Sequence, residues 1–533
     1  MFNFKTVTSP CMQKIVCVLL VCSMISFQSQ GQAKTRRLPS IINHPSLDLS
    51  APFLSADGNA LLFVSNSGQD GALTVSYTSR ETDWSEPVEV PKTINTRLNF
   101  LRGYALSADG KKLYYTSAKS PTVGGYDIYT SDLKGTTWTD PQNLTMPINS
   151  KANEGCPSVT PDGNTLYFMR CDKMDQNKAG GCSLFRAVKK PNGQWDEPQA
   201  LPASINTGNS QTPRIMADGE TLIFSSDKIG TSRGGMDLYV TKFRNNAWTN
   251  PQPLDFVNSD KDDQYVSVAA LGRYLLKEAP GARKNMELTE FLIPGDLRPK
   301  GMMKVEGKVS DATGAVVPSY VAVTDLSTNK KVYSGRPAAD GSFFVYLTEG
   351  TRYELAVDPE QPNITFFSKQ LDLTSDKIPQ KEKVNVTLKQ PAAGDEIVLE
   401  KVRFKPSAAA LETSSEAELK QLARLAKANP GVGFEIQVLM SGYAEDSVKS
   451  ADLTESVVDS VRMQYKAGAM VRDTVIAKVR YHNDRTIQQA QAVIQYLAAQ
   501  GIDRKALTYF VNAIPAATPD GKKVTVKAVV KKR

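Results

Sequence analysis

The chain has 533 residues, 41% of them hydrophobic and 23% charged, with a formal net charge of +8. That length holds about three or four domains, and that apolar fraction gives each a core, so a mainly disordered chain is excluded. Only two histidines occur, His44 and His482, so an imidazole hydrolase or zinc enzyme would have to be built around one of them.

Residues 1–33 read as a secretory signal peptide. Lys5 and Lys14 precede the apolar run Ile15 to Ile25, and Gly31-Gln32-Ala33 supplies a small-x-small cleavage site. Lipidation at Cys22 is the alternative, disfavoured because Val21 is not small. Removing Lys5 and Lys14 lowers the charge from +8 to +6, too dilute to argue for nucleic acid. No later apolar run reaches the roughly 18 to 20 residues of a transmembrane helix. Of the remaining cysteines, Cys171 and Cys182 flank a hairpin loop rich in Lys, Asn and Gly, and are the preferred disulfide in an oxidising compartment. Cys156 then stays reduced and buried.

An internal repeat follows. Asp-Gly recurs at Asp57, Asp109, Asp162 and Asp218, a period of roughly 50 to 56 residues. Each copy has apolar strand residues on both sides, so each Asp-Gly is a hairpin turn needing positive φ. Gly124-Gly125-Tyr126-Asp127 is echoed by Gly180-Gly181-Cys182-Ser183 and Gly234-Gly235-Met236-Asp237. Trp84, Trp138, Trp195 and Trp248, all the tryptophans of the chain, each begin a Trp-x-x-Pro. Four strands per unit is the pattern of a propeller blade. A fifth, degenerate copy surrounds Leu271-Gly272. It lacks the strand that ends in Leu144–Asn149, Leu201–Asn206 and Leu254–Asn258 elsewhere, and Leu38–Asn43 matches that strand. The N-terminal strand is therefore expected to complete the last of five blades and remove an open edge. The four aspartates are read as turn chemistry, and the aromatic residues as core.

These copies resemble the WD40-like repeats of TolB-type propellers, over residues 36–297. From Val305 to Val357 the alternating strands and turns resemble the carboxypeptidase regulatory-like β-sandwich, a transthyretin-like module covering 302–390. That segment has no histidine, so its own chemistry excludes a zinc site. A linker at 391–394 leads to 395–533. There a strand from Ile397, a helix through Leu411, Leu419, Leu422 and Leu425, a strand Phe434–Leu439, a helix of about Asp484 to Ala499, and a last strand Lys523–Val530 succeed one another. This order is similar to the α+β OmpA-like C-terminal domain, which grips peptidoglycan through an Asp in a turn and an Arg in a helix. The matching turn is Gly442-Tyr443-Ala444-Glu445, and Gln489 stands where Arg is expected. The resemblance implies a peptidoglycan site of Gly442, Tyr443, Glu445 and Gln489, with Arg485 one turn earlier supplying the cation. Residues 447–481 read as an inserted hairpin beside that turn. His482 is expected to be a helix-entry or surface residue.

The ordered trio resembles the PorE-type component of type IX secretion systems, but without the tetratricopeptide repeats that precede the propeller there. The resemblance implies an exported, non-catalytic scaffold associated with the outer membrane in the periplasm. Its partners would be peptidoglycan and envelope proteins. Two alternatives stand beside it: an interaction module that has lost wall binding, and a hydrolase working in the propeller channel. No His-Glu-x-x-His or phosphate loop occurs, so no metal or cofactor is expected.

Overall fold

A computed structural model of the chain describes residues 34–96, 98–135, 137–175, 178–230, 233–375, 377–406, 408–441, 456–467, 470–481, 485–510 and 523–533. The chain divides into two compact units, Met1–Pro299 and Lys300–Arg533.

The first unit is a succession of antiparallel sheets. The first is Leu49–Leu54, Ala60–Ser65, Thr74–Ser79 and Val88–Glu89; the second Asn99–Leu106, Lys112–Ser117, Asp127–Lys134 and Gln142–Asn143. The third is Asn153–Val159, Thr165–Met174, Ala179–Val188 and Gln199–Ala200; the fourth Ser210–Ile215, Thr221–Ser226, Asp237–Arg244 and Gln252–Pro253. The fifth is Ser267–Val268, Tyr274–Pro280 and Met286–Leu292, with Thr35–Arg37 paired to its outer strand. Innermost strands pack first on second, second on third and third on fourth, and the fifth sheet packs on the first. The fourth and fifth share a cluster that includes Met216, Leu238, Val266 and Leu275. A closed ring of twisted antiparallel sheets is a β-propeller.

Asparagine is the fastener of each sheet. In the second, Asn149 Oδ1 accepts from Ile128 N at 2.9 Å and its Nδ2 donates to Ile128 O at 3.0 Å. Asn206 does the same to Leu184, and Asn258 to Leu238. Asn43 clamps Leu288 with bonds of 2.8 and 3.0 Å, across 245 residues of chain. The strand that closes the ring is thus Thr35–Arg37, slightly earlier than the Leu38–Asn43 pattern. That pattern is the turn that presents the asparagine.

At each Asp-Gly turn the positive φ falls on the glycine, for example Gly58 at 72° and Gly163 at 71°. The aspartate instead caps the turn: Asp57 Oδ1 accepts from Ser55 Oγ at 2.7 Å and Asn59 N at 3.1 Å. Its short side chain replaces a backbone acceptor, as in an Asx turn. The tryptophans seal seams between sheets. Trp138 of the second sheet meets Tyr77 of the first edge-on at 6.2 Å, and Trp248 of the fourth meets Tyr167 of the third at 6.2 Å. The Gly124-Gly125 and Gly234-Gly235 pairs serve the same seams. A Cβ on Gly124 would fall 2.2 Å from Ala152 O, and one on Gly234 would fall 2.1 Å from Lys261 O, each on the backbone entering the next sheet.

In the second unit, one sheet orders Ser342–Thr348, Met302–Ser310 and Lys381–Lys383, with Val386–Thr387 also on Met302–Ser310. Another orders Lys330–Gly335, Ser319–Asp325, Arg352–Pro359 and Phe367–Asp372. Strict alternation places Phe343, Val345 and Leu347 inside. The C-terminal sheet orders Glu396–Val398, Lys523–Lys532, Val432–Ser441 and Leu507–Phe510, the last pair parallel. Helices α1 (Glu416–Ala428) and α2 (Arg485–Ala499) bury Leu419, Leu422, Val493 and Ile494 in a core with Phe434, Ile436, Ala528 and Val530. The first helix starts later than Leu411, which instead bridges Phe404. Phe366, before the last strand of the second sheet, joins the C-terminal core, and Asn429 Nδ2 donates to Asn363 O at 3.2 Å. The 391–394 linker therefore lies inside one compact unit. Strands Ser456–Ala467 and Met470–Tyr481 pair as an antiparallel hairpin.

All four tryptophans lie in the first unit, so their fluorescence reports its unfolding separately. Asn43→Ala leaves the buried Leu288 N–H without its acceptor and is expected to cost about 1–3 kcal/mol. Asn95→Ala is expected to cost less, because its bonds to Val75 are 3.3 and 3.5 Å. Urea denaturation followed at the tryptophans checks the order.

Candidate functional site

Of the residues read as a peptidoglycan site, Gly442, Tyr443 and Glu445 lie outside the described residues, as does His482. Arg485 opens α2. Gln489, one turn later, is buried: its Nε2 donates to Ala408 O at 2.9 Å, and its Oε1 has no partner among the described residues. Its amide is thus committed to tying α2 to the segment before α1, and it does not offer a donor to solvent. Cys171 and Cys182 face one another across paired strands and are joined by a disulfide, and Cys156 is free and buried.

The propeller axis is the second place where polar groups converge. Register shifts interrupt the innermost strands between Ser50 and Phe53, Phe100 and Tyr104, Gly155 and Ser158, and Gln211 and Arg214. Such bulges re-aim side chains, and here they bring Phe53, Tyr104, Ser158 and Arg214 together. Arg214 is 2% exposed. Its Nη1 donates to Pro157 O and its Nη2 to Tyr104 O, both at 3.0 Å, and its guanidinium sits 4.9 Å from the centre of the Phe53 ring. The remaining cavity, lined by residues of all five sheets, measures about 40 Å³. Burial pushes the Cys156 thiol up to about 12, with Arg214 opposing it. That shift favours the neutral thiol over the thiolate, which is the reactive form.

Sequence reasoning did not single out Arg214. The available signal was Ala51-Pro52-Phe53, Cys156-Pro157-Ser158 and Thr212-Pro213-Arg214, one x-Pro-x at equivalent inner-strand positions. Ala51, Cys156 and Thr212 all adopt positive φ, at 49°, 48° and 49°.

A third cluster is carboxylic. Glu354, 1% exposed, and Glu418 of α1, 1% exposed, lie near each other. Ser368 Oγ donates to Glu354 Oε1 at 2.9 Å, Lys401 Nζ is 3.1 Å from Glu354 Oε2, and Lys401 N donates to Glu418 Oε2 at 2.6 Å. Burial raises the Glu418 carboxyl to about 8, the backbone bond from Lys401 opposing and the Glu354 charge adding to it. One lysine thus serves two carboxyls, so one of them stays protonated at neutral pH.

Among the described residues no group of three or more His, Cys, Asp or Glu is placed to hold a metal ion, and no helix is long and apolar enough to cross a membrane. No family model matches the chain, and no curated protein does. Among solved structures, the putative TolB of Agrobacterium tumefaciens is 15% identical, covering 56% of this chain and 90% of that one, at a TM-score of 0.28. The Bacillus subtilis arabinanase Arb43A is 13% identical, covering 47% and 95%, at 0.32. A glycoside hydrolase is 13% identical, covering 56% and 97%, at 0.32. Likeness at this level says nothing of activity or partner.

The Glu418 carboxyl is raised on folding, so the folded unit binds a proton that the unfolded chain has released. Stability is greatest below the ordinary carboxylate range and falls as pH rises towards about 8. Melting of the second unit between pH 5 and pH 9 checks this. Glu418→Gln is expected to flatten the profile and to stabilise the unit at pH 9.

Proposed function

We propose that the chain is an exported, non-catalytic scaffold of the cell envelope. In this reading a five-bladed propeller and a transthyretin-like sandwich hold protein partners, and an OmpA-like domain faces peptidoglycan, in the manner of the PorE-type component. The observation that carries the non-catalytic part is the axis. Arg214 spans it with two backbone bonds and leaves about 40 Å³, whereas a pocket for a small molecule takes about 300 Å³ or more. The Cys171–Cys182 disulfide supports an oxidising compartment, since such bonds persist outside the cytosol. The axis of the propeller is filled by Arg214 and leaves no room for a substrate.

A second reading keeps the scaffold and drops the wall. It is favoured by Gln489, whose amide is spent on Ala408 O, and by the inserted hairpin Ser456–Tyr481, whose strand edges are chemically suited to pairing with a partner strand. Sedimentation with purified peptidoglycan separates the two. On the first reading the mature chain co-sediments, and Glu445→Ala or Arg485→Ala reduces the bound fraction about tenfold or more, since each removes a charge-assisted contact. On the second it stays in the supernatant, while envelope extracts freed of peptidoglycan still yield a partner, and deletion of 447–481 abolishes its capture.

A further inference from the structure

The seam between the first and second sheets carries an open groove of about 540 Å³. Its floor is apolar: Ala60 is buried there, and Tyr77 and Leu133 are half-buried. Its rim is acidic. Asp57, Glu81, Asp83 and Asp109 line it against two cations, Arg80 and Lys111. Arg80 is already engaged, since its Nε donates to Gly58 O at 3.0 Å and its guanidinium lies 4.5 Å from the centre of the Trp84 ring. Glu81, Asp83 and Asp109 make no ion pair among the described residues.

Part of this lining belongs to the repeat and part does not. Asp57 and Asp109 cap Asp-Gly turns, as their counterparts do in the third and fourth sheets. Glu81 and Asp83 have no counterpart, because the residues before the other tryptophans are Gly135-Thr136-Thr137, Asn192-Gly193-Gln194 and Asn245-Asn246-Ala247. Tyr77 has none either. Paired with Leu62, it takes the position that Thr130, Arg186 and Val240 hold in the next three sheets. An aromatic floor and two carboxylates that the turns do not require are thus added at one seam.

An apolar floor under a carboxylate rim matches a lysine or arginine side chain, whose methylene stem covers apolar surface while its head stays among charges and water. The volume is that of a ligand-sized site. We propose that this groove docks a basic segment of a partner protein, with a lysine or arginine stem on Tyr77 and Leu133 and its head at Glu81, Asp83 and Asp109. The inference rests on the reading of the propeller as a holder of protein partners, and adds the surface and the partner's chemistry. The chain as a whole is positive, so such binding reports a local field.

Fluorescence anisotropy of the full chain with labelled, end-blocked hexamers of lysine, of glutamate and of 2,4-diaminobutyrate tests it. The expected result is binding of hexalysine and not of hexaglutamate, weakened by salt. The diaminobutyrate hexamer, which keeps the charge and shortens the apolar stem, is expected to bind roughly tenfold more weakly. Glu81→Gln with Asp83→Asn, both at exposed positions, is expected to weaken hexalysine roughly fivefold, as loss of two exposed ion pairs does. Asp196→Asn with Glu197→Gln makes the same change of charge beside Trp195 of the third sheet and is expected to leave binding unaltered. No binding of hexalysine overturns the proposal. Equal loss in the two double variants, or equal binding of hexalysine and diaminobutyrate, marks diffuse attraction and overturns it as well. Capture of envelope proteins by a chain that binds no hexalysine would leave the scaffold reading standing and overturn this inference alone.

Discussion

The first unit depends on one interaction repeated around its ring: an asparagine side chain that copies a strand. By accepting from a backbone N–H and donating to the carbonyl of the same residue, Asn149, Asn206, Asn258 and Asn43 each extend a ladder where the chain itself has turned away. A ring of sheets is only as strong as its last seam. There Asn43 locks the segment after Thr35–Arg37 onto Leu288, so the two ends of the unit hold one another. An unsatisfied buried amide would otherwise stand at that seam, at a cost that a marginally stable domain feels.

Around that ring, the repeated residues divide the labour by chemistry. Aspartates cap turns, glycines admit the backbone of the next sheet where a Cβ would collide, and tryptophans cover the seams. What does not repeat is at the axis. Phe53, Ala105, Ser158, Arg214 and Ser267 occupy corresponding inner-strand positions with unlike chemistry, and Arg214, bonded to the carbonyls of Pro157 and Tyr104, makes a polar plug there. A repeat preserves what every sheet needs and leaves free the positions where the sheets meet, so individuality collects at the centre.

The second unit carries its own tension. Glu354 and Glu418 come from a sheet strand and from α1, and they share Lys401 and Ser368 in a buried setting. Phe366 also joins the C-terminal core, and this cluster sits where strand Arg352–Pro359 meets α1. A protonated carboxyl there acts as a neutral hydrogen-bonding group, and its ionisation would place two negative charges against one ammonium.

Sequence alone determined the periodicities. Asp-Gly turns, Trp-x-x-Pro, alternating strands and the apolar stripes of α1 and α2 are local or repeating patterns, and each is legible because strand and helix side chains recur every two or 3.6 residues. The Leu38–Asn43 pattern also revealed that the N-terminus belongs with the last sheet, though the paired strand proved to be the preceding Thr35–Arg37. The pairing of Cys171 with Cys182 followed from the hairpin between them. Tertiary structure alone decided what depends on groups far apart in the chain. Arg214 meets Tyr104 across 110 residues, Lys401 reaches Glu354, and Gln489 turns to Ala408 across 81 residues. None of these pairs shares a period or a motif. Each exists because packing removed the water that would have satisfied a charge or an amide, and the nearest polar group of a distant strand took its place.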